Sequence, residues 1–274
     1  MPLYDLPDLP YGDDNLERTV SIPAGHVVLE GTLGVPEAAT GVVLFAHGSG
    51  SSRFSPRNRF VARMLRDAGL GTLLLDLLSR AEEEVDEVTR HHRFDIPMLS
   101  DRLIAAIDWL EAQLDTASLP IGLFGASTGG GAALVAAAKR PRRVDAVVSR
   151  GGRPDLAGEA LSLVEASTLL LVGGRDEVVI SLNERARDQM HAEVQLEIIP
   201  GATHLFEEHG ALEQVAASAR DWFVSHLAPS RAHPKTEAGG RRGQQVPEAS
   251  RRRGQTEARS VATRPSADRI ARFG

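Results

Sequence analysis

The chain has 274 residues, 42% of them hydrophobic, no cysteine and a formal net charge of −6. That supplies one large core, and the lack of cysteine excludes disulfides, thiolate metal sites and a cysteine nucleophile. The charge is uneven: from Pro229 onward eleven basic side chains face four acidic ones, which leaves an acidic body that does not look like a nucleic-acid-binding surface.

Residues 1–14 carry acids and prolines rather than a basic start and an apolar run, so no signal peptide is expected. The alternating segment 17–35 predicts an antiparallel hairpin at a sheet edge. Residues 41–46 (GVVLFA) read as a buried strand that runs out into His47-Gly48-Ser49-Gly50. Residues 60–68 have helical spacing, and 71–78 (GTLLLDLL) read as a second buried strand. Asp95 is placed to cap a helix reaching about residue 114. Residues 120–125 form a third strand, with proline where a missing N–H costs least. A small-residue helix follows over 128–139. Strands are expected at 145–149, 168–172 and 194–199, and a helix over 211–226 closes the pattern. Such apolar runs between helices are the mark of a parallel sheet covered on both faces. None of the runs is long enough to span a bilayer, so a soluble, cytoplasmic protein is expected. The domain division is residues 1–228 and a disordered basic tail, 229–274, whose composition cannot repay its ordering entropy.

Gly125-Ala126-Ser127-Thr128-Gly129 has the G-x-S-x-G form of a nucleophile elbow. A strand leads in and a helix leads out, which is the context the pattern requires. A serine hydroxyl is a poor nucleophile unless a base takes its proton and a carboxylate holds that base in one tautomer. After an elbow the acid and the base are expected in that order, at strand ends. Asp176 follows the strand at 168–172 and His204 the strand at 194–199. Glu177 and Asp155 are rival acids, and His209 is a rival base. The oxyanion donors are expected to be the backbone N–H groups of Thr128 and Ser49, with Gly50 as second choice for the latter. His47 reads as a structural histidine behind the loop.

These residues resemble the α/β-hydrolase superfamily and, within it, the dienelactone hydrolase-like family. The resemblance spans about residues 20–227 and rests on HGSGSSR (47–53), GASTGG around Ser127, GGRDEVV around Asp176 and GATHLF around His204. It implies an eight-stranded, mostly parallel sheet, hydrolysis through an acyl-enzyme, and no metal or organic cofactor. The name-giving lactone hydrolases carry cysteine at the elbow, where this chain has Ser127.

Residues 150–168 leave room for one small helix and no cap domain, so an open pocket for a small ester or thioester is expected. Arg53, Arg57, Arg150 and Arg153 lie on loops near the strand ends and are candidate anion clamps, unless the body's acids pair with them. Asp76, at a strand end, is expected to cap a turn, with approach to the site as the alternative; Glu82–Glu84 are expected to form a solvated acidic run, and the His91-His92 pair to lack a third metal ligand. Acyl transfer or cofactor-free peroxidation could run on the same triad. A non-catalytic binding module and a nucleic-acid partner for the tail are the readings from other classes. Monomer and homodimer are both open.

Overall fold

A computed structural model of the protein describes residues 16–227. The basic tail read at 229–274 and the segment 1–14 lie outside the described residues.

Eight strands form one sheet in the order β1-β2-β4-β3-β5-β6-β7-β8. The edge hairpin is β1 (Glu17–Ala24) and β2 (Val27–Gly34), antiparallel to each other. β2 also runs antiparallel to β4 (Gly71–Leu75). The remaining strands, β3 (Val42–Ala46), β5 (Ile121–Ala126), β6 (Val144–Arg150), β7 (Ser167–Gly173) and β8 (Val194–Ile199), join β4 in a parallel array. Every residue of β3, β4 and β5 is buried, as strands covered on both faces must be. Their alternating side chains feed two cores. Val43 and Phe45 pack with α1 (Pro56–Asp67) and α6 (Ala211–His226). Val42 and Leu44 pack with α3 (Ile96–Ala112) and α4 (Thr128–Lys139).

The chain reverses direction around β3. It moves from β3 out to β4, then crosses back to β5 on the other side. The crevice between the C-terminal ends of β3 and β5 is therefore the topological switch point, where such sheets place their ligands. The loop after β3 and the turn carrying Ser127 both open there.

Several boundaries differ from the sequence reading. α1 starts at Pro56, four residues earlier than expected, because Ser55 caps it by accepting the Asn58 N–H, and proline suits a first helical position. β4 stops at Leu75 rather than residue 78, since the Leu77 N–H turns away to the His47 ring. Two helices went unread, α2 (Arg80–Thr89) and α5 (Glu177–Arg187). The acidic run 82–84 is not simply solvated. Glu82 closes a capping box with Ser79 and pairs with the buried Arg102 at 2.7 Å. Residues 154–163 form short 3-10 turns across a kink at Gly158 (φ 53°), in place of a cap domain.

Candidate functional site

Ser127 sits between β5 and α4 with φ 49° and ψ −119°, a strained backbone for a residue with a side chain. The two elbow glycines show why the turn can be so sharp. A Cβ on Gly125 would stand 2.5 Å from Gly130 Cα, and one on Gly129 would stand 2.3 Å from Ala46 O. Only glycine lets the strand, the helix and the β3 exit meet so closely. The turn is tied down by the Ser127 N–H to Arg150 O (3.2 Å) and by the Arg153 N–H to Ser127 O (3.0 Å).

Asp176 and His204 arrive on two loops that are stitched together. The Gly174 N–H donates to Ile199 O and the Arg175 N–H to Ala202 O. Gly173 leaves room for the crossing, since a Cβ there would lie 2.5 Å from Thr203 O. Glu208 then accepts the Thr203 N–H at 3.0 Å. Burial pushes the Glu208 carboxyl up, but its bonds from Thr203 outweigh this and hold it below the usual carboxylate range. The result is an Asp176 Oδ2 to His204 Nδ1 contact of 2.6 Å. This bond puts the Nδ1 proton toward the acid and leaves Nε2 as the free basic nitrogen. His204 also reaches the elbow side: its Cε1 lies 3.6 Å from where a Gly151 Cβ would be, one residue beyond the Arg150 carbonyl that holds Ser127. Glu177 and His209 are exposed, and Asp155 is held by Arg153.

The loop after β3 closes the other side. Gly48 packs against the elbow, with a would-be Cβ 3.2 Å from Ser127 Cβ. The Ser51 N–H donates to Gly48 O, and Gly50 has φ 68° while Ser49 has no positive φ, so residues 48–51 form a type II turn. Ser49 Oγ lies 3.0 Å from Thr128 Oγ1, which joins this turn to the first residue of α4.

A pocket of about 130 Å³ opens beside this loop, lined by residues that include His47, Ser49, Asp76, Asp86, Arg93 and Thr128. Asp76 lines this pocket and holds the turn at residues 52–55. It accepts the Arg53 N–H at 2.6 Å and also binds the Arg53 guanidinium. Asp86 is buried in an ion pair with Arg93 at 2.6 Å. Burial alone would raise the Asp86 carboxyl, yet the Arg93 backbone and side chain bring it below its ordinary value. Sequence reasoning missed this α2 wall because Asp86 and Arg93 lie in a polar stretch without a motif. The only signal was Ser79 three residues before Glu82.

The four candidate arginines separate clearly. Arg53 is taken by Asp76 and Glu30, Arg57 by Glu207, and Arg153 by Asp155. Arg150 is 7% exposed and has no carboxylate partner among the described residues. Its Nε is buried and unbonded, and its guanidinium carbon lies 5.7 Å from the Phe206 ring centre. Burial, with the neighbouring Arg57 charge, pushes its pKa down to about 10, so it stays cationic at neutral pH.

Among the described residues no group of three or more His, Asp or Glu is arranged to hold a metal ion, and no helix is long and apolar enough to cross a membrane.

The family model for "Dienelactone hydrolase family" matches residues 29–227. The chain belongs to the dienelactone hydrolase family. A crystal structure of a dienelactone hydrolase from Anabaena variabilis is 61% identical, covers 77% of this chain and 98% of its own, and superimposes with a TM-score of 0.76. Est1E from Butyrivibrio proteoclasticus, at 18% identity and TM-score 0.64, covers 77% of this chain and 99% of its own and shares the fold. A protein of Mycobacterium tuberculosis that carries the provisional name of a phosphoribosyl transferase is 58% identical over 211 residues, 77% of this chain and 47% of its own length. This dienelactone hydrolase family chain thus spans about half the length of that relative.

Proposed function

We propose that this chain is a serine hydrolase that cleaves a small carboxylic ester or thioester through an acyl-enzyme. The observations that carry the reading are the 2.6 Å Asp176–His204 bond and the strained backbone of Ser127. In the proposed cycle His204 Nε2 takes the Ser127 hydroxyl proton as Oγ attacks the substrate carbonyl carbon. The resulting oxyanion is met by the N–H groups of Thr128 and Ser49, and Asp176 stabilises the imidazolium. The tetrahedral adduct expels the alkoxide or thiolate, which leaves with the proton from His204. Water then attacks the acyl-enzyme, gives its proton to His204, and the collapse returns Ser127 and releases the acid.

Arg150 extends the reading to the substrate. A buried guanidinium without a carboxylate is expensive, and it lies one residue before Gly151, against which His204 packs. We read it as the group that favours an acyl or leaving group bearing a carboxylate or phosphate. The name of the longer mycobacterial relative does not alter this. Residues 29–227 match the dienelactone hydrolase family model, and the chain spans only about half of that relative.

The test is a fluorophosphonate probe followed by intact-mass and peptide analysis. The reading expects one covalent adduct, on Ser127, and none in Ser127→Ala. An unlabelled wild type, or a label elsewhere, contradicts it.

A further inference from the structure

His47 follows β3 directly, and its two ring nitrogens are both engaged. Nε2 lies 3.0 Å from the Leu77 N, and Nδ1 lies 2.9 Å from Gly48 O. A backbone N–H can only donate and a carbonyl oxygen can only accept. One state alone satisfies both contacts: a neutral imidazole protonated on Nδ1. Burial acts in the same direction and lowers the His47 pKa, against the Gly48 carbonyl bond and the nearby charges of Asp76 and Glu83.

The bond to Gly48 O has a consequence one atom further on. A trans peptide is planar, so the Gly48 carbonyl and the Ser49 N–H point in opposite directions. Holding the carbonyl against the His47 ring aims the Ser49 N–H away from that ring. The Ser51 N–H on the same oxygen, at 3.2 Å, fixes the plane from a second direction. Gly48 also borders the elbow: a Cβ added to it would stand 3.2 Å from Ser127 Cβ. The other end of the imidazole is anchored on a different strand. Ala46 and Leu75 are the last paired residues of β3 and β4, and the His47–Leu77 bond continues that pairing where the backbone ladder has ended.

We propose that His47 is a positioning residue: its neutral ring, bridging the Leu77 N–H and the Gly48 carbonyl, holds the Gly48–Ser49 peptide so that the Ser49 N–H faces the oxygen of a carbonyl bound at Ser127. The proposal rests on the serine-hydrolase reading and deepens it. His47 touches no reacting atom. It acts through a donor that the ground-state carbonyl uses weakly and the tetrahedral oxyanion uses fully, so its loss should appear in kcat and not in KM.

The turn supplies a clean companion variant. Ser49 is the second residue of a type II turn, where proline fits. Ser49→Pro therefore deletes the N–H and keeps the turn, whereas Ser49→Ala deletes only the hydroxyl. The experiment is a double-mutant cycle on the full chain with a short p-nitrophenyl ester, with affinity for a trifluoromethyl ketone of the same acyl group as the second readout. Removing one oxyanion donor costs about 10²–10³ in kcat, and Ser49→Pro should fall in that range. His47→Leu should lose roughly 10–100-fold in kcat, with KM within about threefold and ketone affinity falling in parallel. His47→Asn keeps a donor near the Nδ1 position and should recover part of the loss. The decisive result is the coupling. In the Ser49→Pro background His47→Leu should cost less than about twofold, because the donor it positions is already gone. If His47→Leu does not fold, His47→Asn takes its place in the same cycle. Additive losses, a change in KM with kcat intact, or full kcat in a folded His47→Leu protein overturn the proposal. Undiminished activity in the Ser127→Ala control would instead overturn the hydrolase reading beneath it.

Discussion

The hydroxyls of Ser49 and Thr128 stand 3.0 Å apart, one on the loop after β3 and the other on the first residue of α4. The same two residues carry the backbone N–H groups proposed as oxyanion donors. The side-chain bond therefore fixes the separation of the two donors. Thr128→Val keeps the shape and the backbone N–H but deletes this bond. The expected outcome is a fall in kcat of about 3–10-fold with little change in KM, consistent with one neutral hydrogen bond of roughly 1 kcal/mol. Steady-state kinetics on a short p-nitrophenyl ester will show it, and a loss confined to KM would assign Thr128 to ground-state binding instead.

Asp176→Asn should cost far more. The amide can present its N–H to His204 Nδ1, which forces the proton onto Nε2 and leaves no base facing Ser127. A drop of about 10⁴ in kcat is expected at neutral pH. Glu177→Gln, on an exposed residue of α5, should stay near wild type. Comparable losses in both variants would mean that the acid is misassigned.

The substrate role proposed for Arg150 and its burial can be tested together. Its depression to about 10 by burial corresponds to a penalty of order 3 kcal/mol in the folded state. Arg150→Met removes the buried charge and keeps the volume. Unfolding stability should rise by about 1–3 kcal/mol, measured by urea titration. Turnover of an ester bearing a free carboxylate should fall at least tenfold relative to its neutral methyl analogue. Equal losses on both esters would refute the role in substrate choice, and a less stable protein would show that the guanidinium is satisfied in the fold.

The pH dependence of stability should carry the mark of His47. Its folded pKa lies below 6.5, with Asp76 and Glu83 opposing the dominant effect of burial. The unfolded chain therefore binds this proton first as pH falls. The associated stability is complete above the unfolded value of 6.5 and declines as pH drops through the interval toward the folded pKa. Chemical denaturation at pH 7.5 and at steps below 6.5 should show that decline in wild type. In His47→Asn the slope over this interval should be smaller; an unchanged slope would show that His47 does not titrate differently on folding.

Much of this architecture is legible in the sequence because the signals are local. The buried runs at β3, β5 and β7 announce a covered parallel sheet, and the glycines around Ser127 encode a close approach, since an added Cβ would stand 2.3–2.5 Å from neighbouring backbone atoms. Helix α4 matches its expected bounds because its small residues pack tightly on both sides. α2 and α5 escaped for a physical reason. α2 buries only Asp86, and α5 buries only Val179, Asn183 and Ala186, so each offers few buried apolar residues to read. The arginines could not be sorted from sequence either. Which of Arg53, Arg57, Arg150 and Arg153 is paired depends on acids up to 150 positions away, as with Glu207 and Arg57.

The central claim is that Ser127 is the nucleophile. The most direct measurement compares wild type and Ser127→Ala on a short p-nitrophenyl ester series, with Ser127→Ala purified from a strain lacking background esterase. With Ser127 as nucleophile, kcat/KM falls by at least about 10³-fold with the fold intact by circular dichroism. Activity retained within tenfold of wild type would contradict it.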